Sequence, residues 1–449
     1  MRYILIFSLL FFTACSFKNS TNNNLAFKED NNQSTHYAKL EFEQSVDILP
    51  KFNQNINFNA TNYKKMFFKP WHSSFKNYKN QNLFWAFPIY LNPKNKYYFF
   101  NKQEIPKSWF KEQIENANTN NIGKLNQKAL VIQNTLLKNF PTQNAILKNP
   151  FQENEGFPFD YANDAVLNIA TPVLISHYTK DKRYAFVLSE TGFGFVESKN
   201  LEIFSNSRAK IYEKLHFITP LKEKEVVFSE DHRFFFETRI GAIYPYYEQD
   251  EKYFYGKIGS KKYRILKKDV AKFPLKLNDA NLKNQLSQIL SLPYGWGGYS
   301  LERDCSLFTR DVFSAFGLYL PRNSAAQKNA FYHFDISMLN NTQKKDFLNQ
   351  FGKAYTTLLY IPGHIMLYAG KVTDNDVVIH NIWGLRKGET QRLIIGKSVI
   401  TSLEIGKKEI LEQNLLLSKI KEVGFINLNQ KEIDEINNYL EKIKDLPNQ

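Results

Sequence analysis

Cysteine is nearly absent. The 449-residue chain has two, Cys15 and Cys305, too few for a disulfide framework, and it has no C-x-x-C or H-x-x-x-H pair of the kind that marks a zinc site. Long apolar runs are missing too. The best of them, residues 3–12, is shorter than the roughly 20 residues a membrane-spanning helix needs. Acidic residues are outnumbered, with 44 Asp and Glu against 59 Lys and Arg and a formal net charge of +15. Such an excess draws a protein toward anionic polymers or membrane surfaces. There is, however, no concentrated Lys/Arg stripe and no nucleic-acid motif, which excludes nucleic-acid binding as a reading. Lys, Asn, Ile, Phe and Tyr are all abundant, the residues of A/T-rich codons, and this bias accounts for much of the charge.

What is present first concerns address. MRYILIFSLLFFTAC opens with Arg2, continues with a short apolar run, and ends in Thr13-Ala14, small residues that a signal peptidase accepts. Residues 1–15 are therefore expected to be an export signal. Phe12-Thr13-Ala14-Cys15 also resembles a lipobox, with Phe12 in place of the usual leucine, so Cys15 is the expected lipidation site. An ordinary cleaved signal with an incidental cysteine is the competing reading. The implied location is the cell envelope, as a periplasm-facing lipoprotein attached to a membrane through its N-terminal lipid.

The remainder divides by composition and period. Residues 16–60 begin with an Asn/Ser-rich stretch and read as a flexible tether. In residues 61–161, WFKEQIENANTNN and LNQKALVIQNTLLKNF have the spacing of short helices, and NPFQENEGFPFDY (149–161) reads as a turning connector. Short β-rich runs separated by turns then fill 162–212 and again 213–276, the pattern of two small barrels, with a faint repeat between VESKNLEIF (196–204) and ILKKDVAKF (265–273). Mixed α and β resumes over 277–406. Residues 407–449 read as a two-helix extension with no chemistry of its own.

Cys305 stands in PYGWGGYSLERDCSLFTRDVF, where Asp304 is a good N-cap and Leu307, Phe308, Val312, Ala315 and Phe316 form an apolar helical face ending at Gly317. In the first turn of that helix the unsatisfied amides favour thiolate. A buried inert thiol is the plainer alternative. A nucleophile also needs a base, and His364, on the turn-to-strand segment PGHIMLYAG, has the best mount. His380 ends VVIH, and an antiparallel pairing would bring it to His364 as an orienting group, the triad logic in a thiol version. Zinc held by Cys305, His364 and His380 ranks second, because no ligand-spacing motif supports it. His36, His72, His177, His216, His232 and His333 have no comparable setting. No metal or cofactor is called for.

PYGWGG, ERDCSLFTRDVFSAFGLYLPRNSAAQ, GHIMLYAG and HNIWG, in that order, resemble the NlpC-type cysteine peptidases of bacterial cell walls, in the multidomain subgroup with an N-terminal stabilising segment and two bacterial SH3-like barrels. The resemblance implies a multidomain α+β protein: a helical N-terminal segment, two small SH3-like β-barrels and a papain-like α+β catalytic domain. It implies Cys305 as nucleophile, His364 as base then acid, and His380 as third residue. It also places Tyr294 near the thiol, to bind substrate or stabilise the oxyanion, with a core aromatic as the alternative. Asp304 and Ser306 would receive the free amine of an N-terminal L-alanine, although helix capping explains Asp304 equally well. Leu307 departs from the glycine found in many broader-family members. Arg322, Asn323 and Ser324 would shape a cleft wall, and Trp383 packs beneath His380 or borders substrate. The implied activity is cleavage of the γ-D-glutamyl–diamino-acid bond of peptidoglycan stem peptides or muropeptides, with meso-diaminopimelate as the diamino acid. A non-catalytic wall-binding lipoprotein and a thiol-dependent acyltransferase are the competing functions. Oligomeric state is not legible.

Overall fold

Alternating apolar residues build an antiparallel sheet that carries the candidate site. In the computed structural model of the protein, which describes residues 36–78, 83–389 and 391–444, this sheet runs Arg392–Ser402, Asn375–Arg386, His364–Val372, Thr357–Ile361, Glu422–Phe425 and Tyr332–Asp335. Because successive strand side chains point to opposite faces, Ile365, Leu367, Ala369, Val377 and Ile379 bury against the helices Asp279–Ile289 and Cys305–Ser314. Met366, Tyr368 and Val378 bury on the other face, against helices Asn341–Phe351 and Gln430–Lys444. The Cys305 helix is thus pressed onto the strand that begins at His364. Among the described residues no helix is long and apolar enough to cross a membrane, and Cys15 lies outside them.

The two expected β-rich regions are present, with different boundaries and without closure. The first forms one sheet in the order Asn163–Leu167, Thr135–Lys138, Phe193–Glu197, Tyr184–Leu188, Pro172–Tyr178, Gln127–Val131, Leu201–Ile203. The second divides into a sheet containing Val226–Ser229, Phe234–Glu237, Tyr253–Ile258 and Lys261–Leu266, and a smaller one built on His216–Pro220. Among the described residues no closed barrel is found in either region, and the expected small SH3-like barrels are seen only as these sheets.

Three further expectations need correction. LNQKALVIQNTLLKNF is not helical: Gln127–Val131 and Thr135–Lys138 are strands of the first β-rich region, because its apolar runs are too short for a helix and Ala129, Leu130, Val131 and Leu137 are buried as strand residues rather than on one amphipathic face. Only the preceding stretch is a helix, Lys107–Asn116. The tether does not reach residue 60, since Val46, Leu49, Phe52 and Ile56 are buried in the same core as the Cys305 helix and the Phe52 amide donates to Asp279 Oδ1 at 2.7 Å. In the C-terminal extension a strand, Glu422–Phe425, separates the short helix Leu416–Lys419 from Gln430–Lys444 and is inserted between strands Tyr332–Asp335 and Thr357–Ile361.

Candidate active site

The N-cap fixes where the thiol sits. Asp304 is extended, its Oδ1 accepts the Leu307 amide at 2.9 Å, and the helix starts at Cys305. Upstream, Asn381 Nδ2 donates to the Arg303 carbonyl at 3.0 Å, tying the approach to this helix to the strand that carries His380. Cys305 is 7 % exposed. Its thiol points to the Gly363 carbonyl, 4.0 Å away, and the Ile365 amide donates to the sulfur. The sulfur therefore meets the backbone on both sides of His364.

The histidines form a line. His364 and His380 lie on antiparallel neighbours whose register pairs Leu367 with Ile379, and His364 Nε2 is 2.9 Å from His380 Nδ1. On its far side, His380 Nε2 is 3.1 Å from Thr401 Oγ1. Both His380 and Thr401 are fully buried. With Nε2 occupied by His380, Nδ1 is the ring nitrogen His364 has left for the sulfur. For that nitrogen to accept a proton, His364 must donate from Nε2 to His380, and His380 from Nε2 to the Thr401 hydroxyl. Thr401 was not legible in the sequence, where a threonine in a strand has no special signal.

Protonation departs from the helix-end expectation. Burial, and then the adjacent Asp304 carboxylate, push the Cys305 thiol up to about 12. Burial likewise lowers His364 to about 4 and holds His380 well below the usual imidazole range, helped there by His364. A helix N-terminus contributes only about 0.3–1 kcal/mol, less than the desolvation it opposes. The resting pair is a neutral thiol beside a neutral imidazole, not an ion pair.

Tyr294, Asp304 and Ser306 lie close to Cys305, with different commitments. Tyr294 packs near Phe159 and Trp383, with centroids 6.1 Å away in each case. Its hydroxyl is raised well above the ordinary tyrosine range by burial and then by the neighbouring Cys305. Asp304 is occupied: Arg322 donates to Oδ1 at 3.1 Å and to Oδ2 at 2.6 Å, and the Gly297 amide donates to Oδ2 at 3.2 Å. Burial pushes this carboxyl up, but the Arg322 charge and these donors hold it below the usual range. Ser306 Oγ donates to Asp304 and accepts from Arg322 at 2.9 Å. This network gives Asp304 and Ser306 a capping and bracing role, and Arg322 braces the cap from beneath. Among the described residues, no group of three or more His, Cys, Asp or Glu side chains is arranged to hold a metal ion.

A cavity of ≈ 390 Å³ opens beside His364, with Tyr294, Trp296 and Trp383 in its wall. The connector closes one side. Phe159 packs 5.2 Å from Trp296 and 5.9 Å from Trp383, and Glu153 Oε2 accepts the Arg392 amide at 2.7 Å. The connector therefore both packs between domains and walls the groove.

Comparison with known proteins agrees with this architecture. Residues 4–121 match the NLPC_P60 stabilising domain, N term; 146–197 an SH3 domain of SH3b1 type; 205–251 an SH3 domain of SH3b2 type; and 291–389 the NlpC/P60 family. No curated protein matches the chain. Among solved structures, an NlpC/P60 endopeptidase from Photobacterium damselae subsp. piscicida is similar at 19 % identity and TM-score 0.73, over 88 % of this chain and 99 % of that one. An NlpC/P60 family protein from Bacillus cereus ATCC 10987 aligns at 15 % identity and TM-score 0.48, over 67 % of this chain and all of the other. Residues 291–389 are thus a domain of the NlpC/P60 family, preceded in the chain by its N-terminal stabilising domain and two SH3 domains.

Proposed function

We propose that this protein is a cysteine endopeptidase that hydrolyses the γ-D-glutamyl–diamino-acid bond of peptidoglycan stem peptides, with meso-diaminopimelate as the diamino acid. The observation that carries this reading is the hydrogen-bonded line from His364 through His380 to Thr401, starting at the strand end that meets the Cys305 sulfur. His364 takes the thiol proton as sulfur attacks the amide carbonyl, and the backbone amide of Cys305 at the helix start stabilises the developing oxyanion. The imidazolium then protonates the leaving amine, and water, deprotonated by His364, releases the acyl group. His380 holds the tautomer. The SH3 domains bind and orient the wall polymer at the groove, and Cys15 anchors the enzyme by lipid in the periplasm-facing envelope.

Mass spectrometry of defined tripeptide and tetrapeptide muropeptides tests the reading. The wild type is expected to release products with a new amino terminus at the diamino acid, and Cys305→Ala to release none. Full cleavage by Cys305→Ala would rule the nucleophile out, and cleavage at another bond would rule out the assignment of the scissile amide.

A further inference from the structure

The cavity that begins at His364 ends in a group of cations that the cleavage chemistry does not use. Arg386 and Arg392 stand directly opposite each other in the register of strands Asn375–Arg386 and Arg392–Ser402. Lys419, the last residue of helix Leu416–Lys419, lines the same cavity as both arginines. Like charges directly opposed across a strand pair destabilise it. Here the repulsion is not offset by a salt bridge: among the described residues none of the three forms an ion pair with a carboxylate. Arg386 Nε donates to the Gly388 carbonyl at 3.2 Å, and Arg392 Nη1 to the Gln391 carbonyl at 3.0 Å, which leaves most of each guanidinium fork unused.

The acids facing Arg392 are Glu153 and Glu155 of the connector, and one Glu153 oxygen already accepts the Arg392 backbone amide. Arg392 and Lys419 are both half-buried. Burial, followed by repulsion from Arg386, holds both below their usual ranges, so the three charges sense one another. An anion in the cavity would relieve that repulsion and accept the free guanidinium donors.

The position of the cluster decides which anion. His364, which protonates the leaving amine in the function proposed above, borders this cavity, so on that reading the cavity receives the leaving-group side of the scissile bond. We infer that Arg386, Arg392 and Lys419 form a carboxylate-binding subsite that selects stem peptides with a free carboxylate on the diamino acid. The carboxylate has two sources, the α-carboxyl group and the carboxyl group at the far end of the diaminopimelate side chain.

The test compares L-alanyl-γ-D-glutamyl-diaminopimelate tripeptides with both carboxylates free, with either one amidated, and with both amidated. Charge-assisted hydrogen bonds predict that full-length wild type prefers the free acid over the diamide by about tenfold or more in kcat/KM, chiefly through KM. The two monoamides identify the carboxylate engaged. In the Arg392→Gln/Lys419→Gln double variant the ratio of free acid to diamide is expected to fall to near one. Equal wild-type rates on acid and diamide, or a ratio that survives in the double variant, would overturn the subsite. Absence of any Cys305-dependent cleavage would instead count against the peptidase reading. In that event calorimetric binding to the Cys305→Ala protein decides the subsite: roughly tenfold tighter binding of the free acid supports it, and equal binding refutes it.

Discussion

At the scale of single residues, the thiol and imidazole are set by burial more than by the helix end. Because His364 is lowered to about 4 and Cys305 raised to about 12, the neutral thiol and imidazole that the proposed mechanism starts from are the ground state across the neutral range. Below about pH 4 His364 is protonated and cannot accept the thiol proton. The kcat/KM profile is therefore expected to rise through about pH 4 and stay flat through pH 7, and an acid limb at pH 6–7 would contradict this account. In the proposed mechanism the same line of hydrogen bonds makes Thr401 a positioning residue. Thr401→Val removes the acceptor for His380 Nε2–H in a dry site, an unmet bond of about 1–3 kcal/mol. About a tenfold fall in kcat is expected, and Thr401→Ser, which keeps the hydroxyl, should restore the rate. Failure of serine to rescue would point to packing instead.

Among the elements, the glycine-rich turn is the one on which the site leans most. Gly297 has φ +60°, and a Cβ there would lie 2.3 Å from the Asn163 carbonyl oxygen, while its amide donates to Asp304. Gly297→Ala should cost about 1–3 kcal/mol through strain alone, and the displaced turn should loosen the cap on the Cys305 helix. Thermal denaturation checks the first effect. Loss of activity in protein that is still folded checks the second. This turn was legible in PYGWGG, as were Asp304 as N-cap and His364 at a strand start, because capping and turn chemistry are local. The strand Gln127–Val131 was not, since its buried apolar run, residues 129–131, is too short to have a period that separates it from a helix. Nor was Glu422–Phe425, four residues between two helical patterns, whose place is decided by strands about 65 and 90 residues earlier in the chain. The burial of residues 46–56 was hidden behind the polar composition of the stretch before it. Thr401 follows only from strand register, which is a property of the assembled sheet.

Taken as a whole, the molecule grips the Cys305 helix from both SH3 domains. Glu190 of the first pairs with Arg310, in the middle of the Cys305 helix. Glu223, in the second, receives Arg303 on both oxygens, at 2.8 and 3.2 Å, and Arg303 Nε donates to Asp311 Oδ2 at 2.8 Å. Arg239 shares that same Asp311 oxygen at 3.2 Å. Arg303 and Asp311 are each 1 % exposed, so this is a balanced buried set of two cations and two anions. Glu223→Gln would leave two guanidinium groups, Arg239 and Arg303, on the single carboxylate of Asp311 in the Cys305 helix. Breaking a buried pair from one side costs about 3–5 kcal/mol, whereas replacing both partners by apolar residues is often neutral. Glu223→Gln is therefore expected to lose about 3 kcal/mol in urea denaturation, and Glu223→Met/Arg303→Met to be more stable than Glu223→Gln. If Glu223→Gln unfolds at the wild-type urea midpoint, the second SH3 domain does not brace the Cys305 helix through this network. If both variants lose stability equally, the bracing depends on the shape of the Arg303 fork rather than on its charge.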